Sequence, residues 1–395
     1  MSSTVGKTMI GVTARSAFGF VLVMGVVNLF ADMTYEGGGS INGTFLGQLG
    51  ASAAAVSIIA GAGEFLGYSL RSVAGYIADR TGRYWWITFL GYFINLLAVP
   101  AMALAGSWQS AGALIFMERI GRAMRKPTVE AMLSYSTGKH GRGWVYGVNT
   151  ALDETGATVG PLVVALALDL KADFRTAYGW LLGSSVLALG ALAIARFMFP
   201  VPSKLQVGGP ATSRAGGFKR PYWLYMAAGT CFAAGLMSYE LVSYHLASSG
   251  VLSQRTIPVF LAVATGIGVV ASLVLGRMYD RVGIGAVVLG VVLSAAFSPL
   301  VFFGGLWVTL AGLMLLGVGY ATQDTLLKVL IASVLPEGKR NLAFGLFYLG
   351  YGAGWLAGSV AAGLLYETSR FGLVIFAMMA QLDSRTTAGT RRSVQ

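Results

Sequence analysis

The chain has 395 residues, of which 55% are hydrophobic and only 11% are charged, whereas a soluble globular domain carries about 25% charged residues. This composition excludes a soluble protein and indicates an integral membrane protein. The formal net charge of +12 does not indicate nucleic-acid binding, because the cations are scattered in short loops instead of concentrated on a soluble domain.

Apolar runs of about 20 residues, each long enough for a hydrocarbon core of roughly 30 Å, predict twelve transmembrane helices. The first run follows Lys7 and Arg15 but continues without a small-residue cleavage site, so we interpret it as a retained span and not as a signal peptide. In chain order the predicted spans are 17–37, 51–74, 84–105, 111–136, 143–168, 175–199, 221–246, 256–276, 284–304, 306–333, 341–366 and 371–382.

The last predicted span is unusually short. Its twelve apolar residues would form a helix about 18 Å long, which is too short to cross a bilayer comfortably. The sequence therefore predicts a partial helix, local thinning of the bilayer, or an altered carboxyl terminus.

A polar stretch rich in Pro, Gly and Ser divides the chain at residues 200–220. Two glycine-containing charged loops are 201 residues apart, and Gly156 and Gly160 recur 198 residues later as Gly354 and Gly358. The predicted fold is all-α and integral to the membrane, with twelve transmembrane helices in two pseudo-symmetric six-helix bundles. The predicted boundaries are 1–199 for the first bundle, 200–220 for a cytoplasmic linker and 221–395 for the second bundle.

The distribution of loop cations predicts the orientation of the chain. With a cytoplasmic amino terminus, seventeen Lys and Arg residues lie in cytoplasmic segments and four lie on the opposite side. This asymmetry predicts cytoplasmic amino and carboxyl termini.

The charged connection between the second and third spans reads GYIADRTGR from Gly75 to Arg83. It matches the pattern Gly-x-x-x-Asp-Arg-x-Gly-Arg, and over nearly its whole length the chain resembles the major facilitator superfamily. The positions that match this gating-loop pattern are Gly75, Asp79, Arg80, Gly82 and Arg83. The second copy keeps Asp280 and Arg281 but has Ile284 in place of the last arginine, so we expect a weaker charge network there.

The resemblance implies a secondary active transporter that works by alternating access. Gly156, Gly160 and Pro161 in the fifth span look like the antiporter motif of this superfamily, although close helix packing alone is an open alternative. The gating loop is then expected to be a latch that closes the cytoplasmic side, or simply an anchor for the connection.

Nine of the sixteen acidic residues fall within the predicted spans or at their ends, where they should face a cavity or a partner. In the first span Asn28, Asp32 and Glu36 share one helix face, and Glu240 occupies a similar place in the seventh span. Because the first helices of each half line the central cavity in the resembled family, Asp32, Glu36 and Glu240 are candidates for proton or cation binding. A structural ion pair for Asp32 and a place at the cavity mouth for Glu36 remain alternatives.

The fourth span carries a polar stripe in an i, i+4 register, formed by Glu118, Arg122, Lys126 and Glu130. This stripe must face protein or water. By resemblance, Arg119 or Arg122 is a candidate for assisting proton movement. The alternative is that these cations pair with acids of the fifth span, Asp153 and Glu154.

Two further polar pairs lie in other spans. In the tenth span Asp324 and Lys328 are four residues apart and are candidates for an internal ion pair or for substrate contact. In the second span Glu64 and Arg71 share a face, and we interpret them as gating or packing residues.

The sequence thus favours proton-coupled export of a small amphiphilic or cationic solute. One alternative is transport of an anionic metabolite bound by Arg122, Arg125 or Lys126, and another is a membrane receptor or scaffold without transport. Since the chain has no phosphate-binding Gly-x-x-x-x-Gly-Lys-Ser/Thr loop and no His-Glu-x-x-His motif, we expect no enzyme activity, no cofactor and no metal, with a proton gradient as the energy source. The expected partners are the small-molecule substrate and the lipid bilayer, without nucleic acid, for a monomer in a bacterial inner membrane.

Overall fold

The computed structural model describes residues 2–134, 142–170, 173–201, 218–327 and 340–389. These ranges are helical throughout apart from short connections. The α-helices are α1 Ser2–Gln48, α2 Ala53–Thr81, α3 Tyr84–Ala101, α4 Trp108–Ser134, α5 Arg142–Asp169, α6 Phe174–Met198, α7 Arg220–Gly235, α8 Tyr239–Ser248, α9 Ile257–Val282, α10 Ile284–Ala295, α11 Phe297–Phe303, α12 Leu306–Ala321, α13 Arg340–Thr368 and α14 Arg370–Gly389. A 3₁₀ turn, Met102–Leu104, follows α3, and a π-helical segment, Thr322–Leu327, follows α12.

These helices form twelve spans, because α7 with α8 and α10 with α11 each make one broken span. In the described part of the chain, seven spans are long and apolar enough to cross a membrane by length and composition alone. The predicted class, an all-α integral membrane protein with twelve helices, is confirmed. We call residues 2–201 the N-half and residues 218–389 the C-half.

The first span differs from its predicted end at residue 37. It continues through Gly37, Gly38 and Gly39 to Gln48, and its apolar part, Phe18–Gln48, has 31 residues. The glycines do not end the helix because they serve close packing. A Cβ on Gly37 would lie 3.1 Å from the Gly160 carbonyl oxygen, and a Cβ on Gly43 would collide with the carbonyl of Glu240.

The last span corrects the prediction of a short helix. Helix α14 runs for 20 residues, about 30 Å, because the polar residues after Leu382 continue it. Two of the polar side chains are buried: Gln381 Nε2 donates to the Gly235 carbonyl at 2.9 Å, and Ser384 donates to the Gln381 carbonyl. The helix is therefore long enough to cross, and polar side chains near its end donate hydrogen bonds to the seventh span and within the helix.

The connection from Gly75 to Arg83 is also less of a loop than its sequence suggests. Residues 75–81 belong to α2, and only Gly82 and Arg83 connect it to α3. Gly82 has φ 63°, a left-handed conformation that favours glycine, and its N–H donates to the Ala78 carbonyl at 2.9 Å.

Glycines of the fifth span pack against the first span, and their counterparts 198 residues later pack against the seventh. A Cβ on Gly156 or Gly160 would meet the carbonyl of Leu29 or Met33, respectively. The same contacts join Gly354 and Gly358 to Thr230 and Ala234. The correspondence supports the predicted repeat, whereas the division at 200–220 stays a prediction because residues 202–217 lie outside the described ranges.

The two membrane faces of the protein carry different turns. We name them after these turns, the Gly50 face and the Gly82 face. At the Gly50 face, the N–H of Ala54 donates to Glu367 Oε1 at 2.9 Å, and Gln48 Nε2 donates to Gln254 Oε1 at 3.3 Å. Thr44 adds a bond from its hydroxyl to the Ser243 carbonyl at 3.3 Å. Helices of the two halves are thus hydrogen-bonded to each other at the Gly50 face.

Candidate functional site

A cavity of about 860 Å³ lies between the N-half and the C-half. Helices α1, α2, α4, α5, α8, α9 and α13 contribute to its lining. It reaches the Gly82 face at Leu133, the penultimate residue of α4, and at Asn149, in the second turn of α5. Its lining contains eight acidic and five basic residues, an excess of three negative charges if all are ionised.

Arg119 occupies the centre of the charge network. Its guanidinium lies 3.1 Å from Glu64, 3.3 Å from Glu118 and 3.0 Å from Glu240. Glu240 belongs to the C-half, so this ion pair crosses between the two halves inside the cavity. Arg119 and Glu240 are both buried, where the attraction between opposite charges is much stronger than in water.

Arg122 shares two of these partners. It lies 2.9 Å from Glu64 and 3.5 Å from Glu118, and its guanidinium sits 4.9 Å from the centre of the Tyr35 ring. Asn95 also donates to Glu118 Oε1 at 2.9 Å. Glu64, which sequence analysis assigned only to gating or packing, is thus a shared partner of both arginines.

Asp32 pairs with Arg125 in the N-half at 3.3 Å. The arginine also stacks on Tyr92, 4.7 Å from its ring centre, and the Tyr92 hydroxyl donates to the Asn28 side chain. Asn28 in turn donates to Asn149 at 3.1 Å. The predicted face of the first span, with Asn28, Asp32 and Glu36, therefore does line the cavity.

Asp153 lines the same cavity as Asp32. Its Oδ1 is buried and has no hydrogen-bond partner among the described residues. Sequence analysis noted Asp153 only as a possible partner of the fourth-span cations, whereas the ion pairs of Arg119, Arg122 and Arg125 involve other acids. The i+4 stripe of the fourth span, in contrast, lies where it was predicted, because all four of its residues line the cavity.

Several predicted residues are not part of this cavity. Arg80, Arg83 and Arg281 are exposed near the Gly82 face, and Arg80 donates to the Tyr76 hydroxyl at 3.0 Å. The side chains of Asp79, Asp280 and Asp324, and the whole of Lys328, lie outside the described residues. In the described part of the chain, no group of three or more His, Cys, Asp or Glu side chains is arranged to hold a metal ion.

The model of the Major Facilitator Superfamily matches residues 12–287 of the chain. The chain belongs to this superfamily. It is a multi-pass integral membrane transporter and not an enzyme, so the reading as a receptor or scaffold without transport is not supported.

Named relatives and solved structures agree with this assignment. The chain is 33% identical over 386 residues to the uncharacterized protein Rv2265 of Mycobacterium tuberculosis, covering 96% of this chain and 94% of the relative. It is 25% identical over 370 residues to the uncharacterized MFS-type transporter MJ1317 of Methanocaldococcus jannaschii, covering 88% of this chain and 89% of the relative.

Two crystal structures illustrate the shared fold. One is a mutant of the nucleoside transporter NupG, with a TM-score of 0.75 and 12% identity over 94% of this chain and 99% of that one. The other is a mutant of the peptide transporter POT, with a TM-score of 0.76 and 13% identity over 94% of both chains. At such identities the likeness concerns the fold alone.

Proposed function

We propose that this transporter couples proton movement to the export of a small amphiphilic or cationic solute. The observation that carries the proposal is the pair of acids Asp32 and Asp153 that line a cavity with excess negative charge. The buried, unpartnered Oδ1 of Asp153 is unfavourable for an ionised carboxylate unless it binds a proton or a cation.

The arrangement of the cavity arginines supports this choice over transport of a purely anionic metabolite. Arg119, Arg122 and Arg125 each contact at least one carboxylate of the protein. An anionic solute at these arginines would have to displace those carboxylates and add to the excess of negative charge. A solute with a cationic group instead complements the lining.

In the proposed cycle, protonation and solute binding at Asp32 and Asp153 alternate. Protonation of Asp32 weakens its ion pair with Arg125, since a neutral carboxyl attracts a guanidinium less strongly. The Arg119–Glu240 pair connects the same network to the C-half. A change of charge in the N-half would therefore alter the attraction between the two halves. With the Gly82 face cytoplasmic, as the loop cations suggest, the cavity reaches the cytoplasm and the Gly50 contacts close the outside.

The test uses the purified full-length chain in proteoliposomes that enclose a pH-sensitive dye. An imposed gradient of tetraphenylphosphonium, a lipophilic cation, should drive proton movement in the opposite direction, above the rate in protein-free vesicles. Citrate, a purely anionic solute, should not. Proton movement driven by citrate and absent with lipophilic cations would favour the anionic-metabolite alternative.

A further inference from the structure

Arg71 is a cavity-lining cation without a carboxylate partner in the described chain. It lies on α2, and its guanidinium carbon is 4.6 Å from the ring centre of Tyr68 and 5.7 Å from that of Tyr348, two rings that stack on each other. The ion pairs of the described residues involve Arg119, Arg122 and Arg125 and none involves Arg71. Its Nε is buried and has no hydrogen-bond acceptor there.

A second donor lines the same wall of the cavity. Trp355 on α13 is 5% exposed, and its indole Nε1 is buried with no acceptor in the described ranges. Ring contacts connect it to Arg71: the Trp355 and Tyr351 ring centres are 6.0 Å apart, and those of Tyr351 and Tyr68 are 5.5 Å apart. The wall therefore presents two N–H groups, one of them charged, that lack an acceptor.

Gln323 is the third polar residue of this wall, and it holds Tyr68 in place by a hydrogen bond. Its Nε2 donates to the Tyr68 hydroxyl at 2.9 Å, while its Oε1 is buried and unpartnered within the described chain. Tyr68 is thus held from one side by Gln323 and stacked on Arg71 from the other. We call Tyr68, Arg71, Gln323, Tyr348 and Trp355 the Arg71 wall.

A buried donor without an acceptor destabilises a protein, and more strongly when it is charged. A guanidinium suits an anionic oxygen group, a carboxylate or a phosphoryl oxygen, and the indole N–H of Trp355 is a separate donor further along the same wall. The rest of the cavity has excess acid, so the two regions of the cavity prefer opposite charges.

We propose that the Arg71 wall is a subsite for the carboxylate or phosphoryl group of a zwitterionic solute whose cationic group faces Asp32 and Asp153. The inference rests on the proposed function and narrows its solute class. Because Tyr68 and Arg71 belong to the N-half while Gln323, Tyr348 and Trp355 belong to the C-half, an anion bound there contacts both halves. Solute binding would thereby stabilise the state in which the two halves meet at this wall.

The subsite itself can be tested with sulfate on the full-length protein in detergent. Thermal unfolding is followed as sulfate replaces chloride at constant ionic strength, since an ion that binds the folded state raises the unfolding temperature. The wild type should bind sulfate, and Arg71→Gln should bind it about tenfold more weakly.

Arg370→Gln is the matched control, because Arg370 also lies over a tyrosine, 5.3 Å from the Tyr366 ring centre, but is exposed and outside the cavity. It should bind sulfate like the wild type. Equal sulfate affinity in Arg71→Gln and wild type, or no stabilisation of the wild type by sulfate, would overturn the subsite.

A transport assay separates this inference from the proposed function. Proton movement is measured with leucine, phenylalanine and the dipeptide of these residues, each paired with its methyl ester, which keeps the amine and lacks the carboxylate. In the wild type, the acids should drive half-maximal proton movement at about tenfold lower concentration than the esters. Arg71→Gln should remove this difference in concentration.

Each outcome of this assay has a distinct meaning. If acids and esters are equally effective, the subsite is wrong and the proposed function stands. If neither these solutes nor tetraphenylphosphonium drives proton movement, the proposed function is wrong and the inference is wrong with it.

Discussion

Arg119 on the fourth span and Glu240 on the seventh form a buried ion pair at 3.0 Å that joins the two halves of the transporter within the cavity. The same guanidinium contacts two acids of its own half, Glu64 and Glu118. A change of charge at any of these acids therefore alters the electrostatic attraction that Arg119 provides between the halves. This position makes Arg119 the residue through which the N-half network and the C-half are connected.

We expect Arg119→Gln to destabilise the protein strongly. The substitution leaves Glu64, Glu118 and Glu240 without their shared cation, and removal of one partner from a buried ion pair costs roughly 3–5 kcal/mol. The exposed Arg80→Gln should change stability by less than about 0.5 kcal/mol. Unfolding of both variants in detergent measures the difference, and equal stabilities would contradict the described network.

Gly160→Ala should destabilise the packing of the fifth span on the first. A Cβ at this position would meet the Met33 carbonyl and lie 2.9 Å from Gly37 N, and such overpacking costs roughly 1–3 kcal/mol. Gly183→Ala is the matched control, because nothing lies within 4 Å of a Cβ there; as alanine favours a helix by up to about 1 kcal/mol, it should be neutral or stabilising.

The same pair of variants separates packing from an antiporter-specific role of Gly156, Gly160 and Pro161. Thermal unfolding and proton movement are measured on both proteins. A Gly160→Ala variant that unfolds like the wild type yet has lost transport would contradict a role limited to packing.

Glu367→Gln should loosen the closure at the Gly50 face. The Glu367 carboxylate accepts a hydrogen bond from the Ala54 N–H at 2.9 Å, and a bond to a charged group contributes about 1.5–3 kcal/mol. In a Cys231→Ser background with Ala53→Cys, a position buried against the C-half at this face, labelling by a membrane-impermeant thiol reagent should become up to about tenfold faster. Glu130→Gln, exposed near the Gly82 face, is the control; a labelling rate equal in both variants would contradict a closing role for Glu367.

The number of spans and the polar faces within them could be predicted from sequence because both follow from local patterns. Apolar length predicts a span, and the four-residue spacing of Glu118, Arg122, Lys126 and Glu130 predicts one face of a helix. Those four residues all line the cavity. The same reasoning placed Asn28, Asp32 and Glu36 correctly on one lining face.

Helix ends were harder to predict because tertiary packing overrides local signals. The first span was predicted to end at residue 37, but the helix continues to Gln48, because Gly37 and Gly43 allow close contact with the fifth and seventh spans. The twelfth span was predicted too short because polar residues beyond Leu382 continue the helix, and one of them, Ser384, is buried and donates to the Gln381 carbonyl, a contact that hydropathy does not register.

The partners of the charged residues could not be predicted, since pairing depends on which helices meet. Sequence analysis offered Asp153 and Glu154 as partners of the fourth-span cations, whereas the structure pairs the three arginines among them with Asp32, Glu64, Glu118 and Glu240. The Arg71 wall was missed for the same reason, because it forms only where the second, tenth and eleventh spans meet. A membrane-embedded arginine next to a tyrosine was the available signal, and it was interpreted as gating or packing.

The most direct test of the account is proton movement driven by tetraphenylphosphonium in proteoliposomes that contain Asp32→Asn. Since asparagine cannot take up and release the proton, we predict a loss of coupled movement of at least about tenfold, a change of roughly 1.4 kcal/mol or more in the coupling step. Glu130→Gln, an exposed acid of the same cavity, should retain movement, and both variants should unfold cooperatively. Wild-type proton movement in Asp32→Asn would contradict the proposed coupling site.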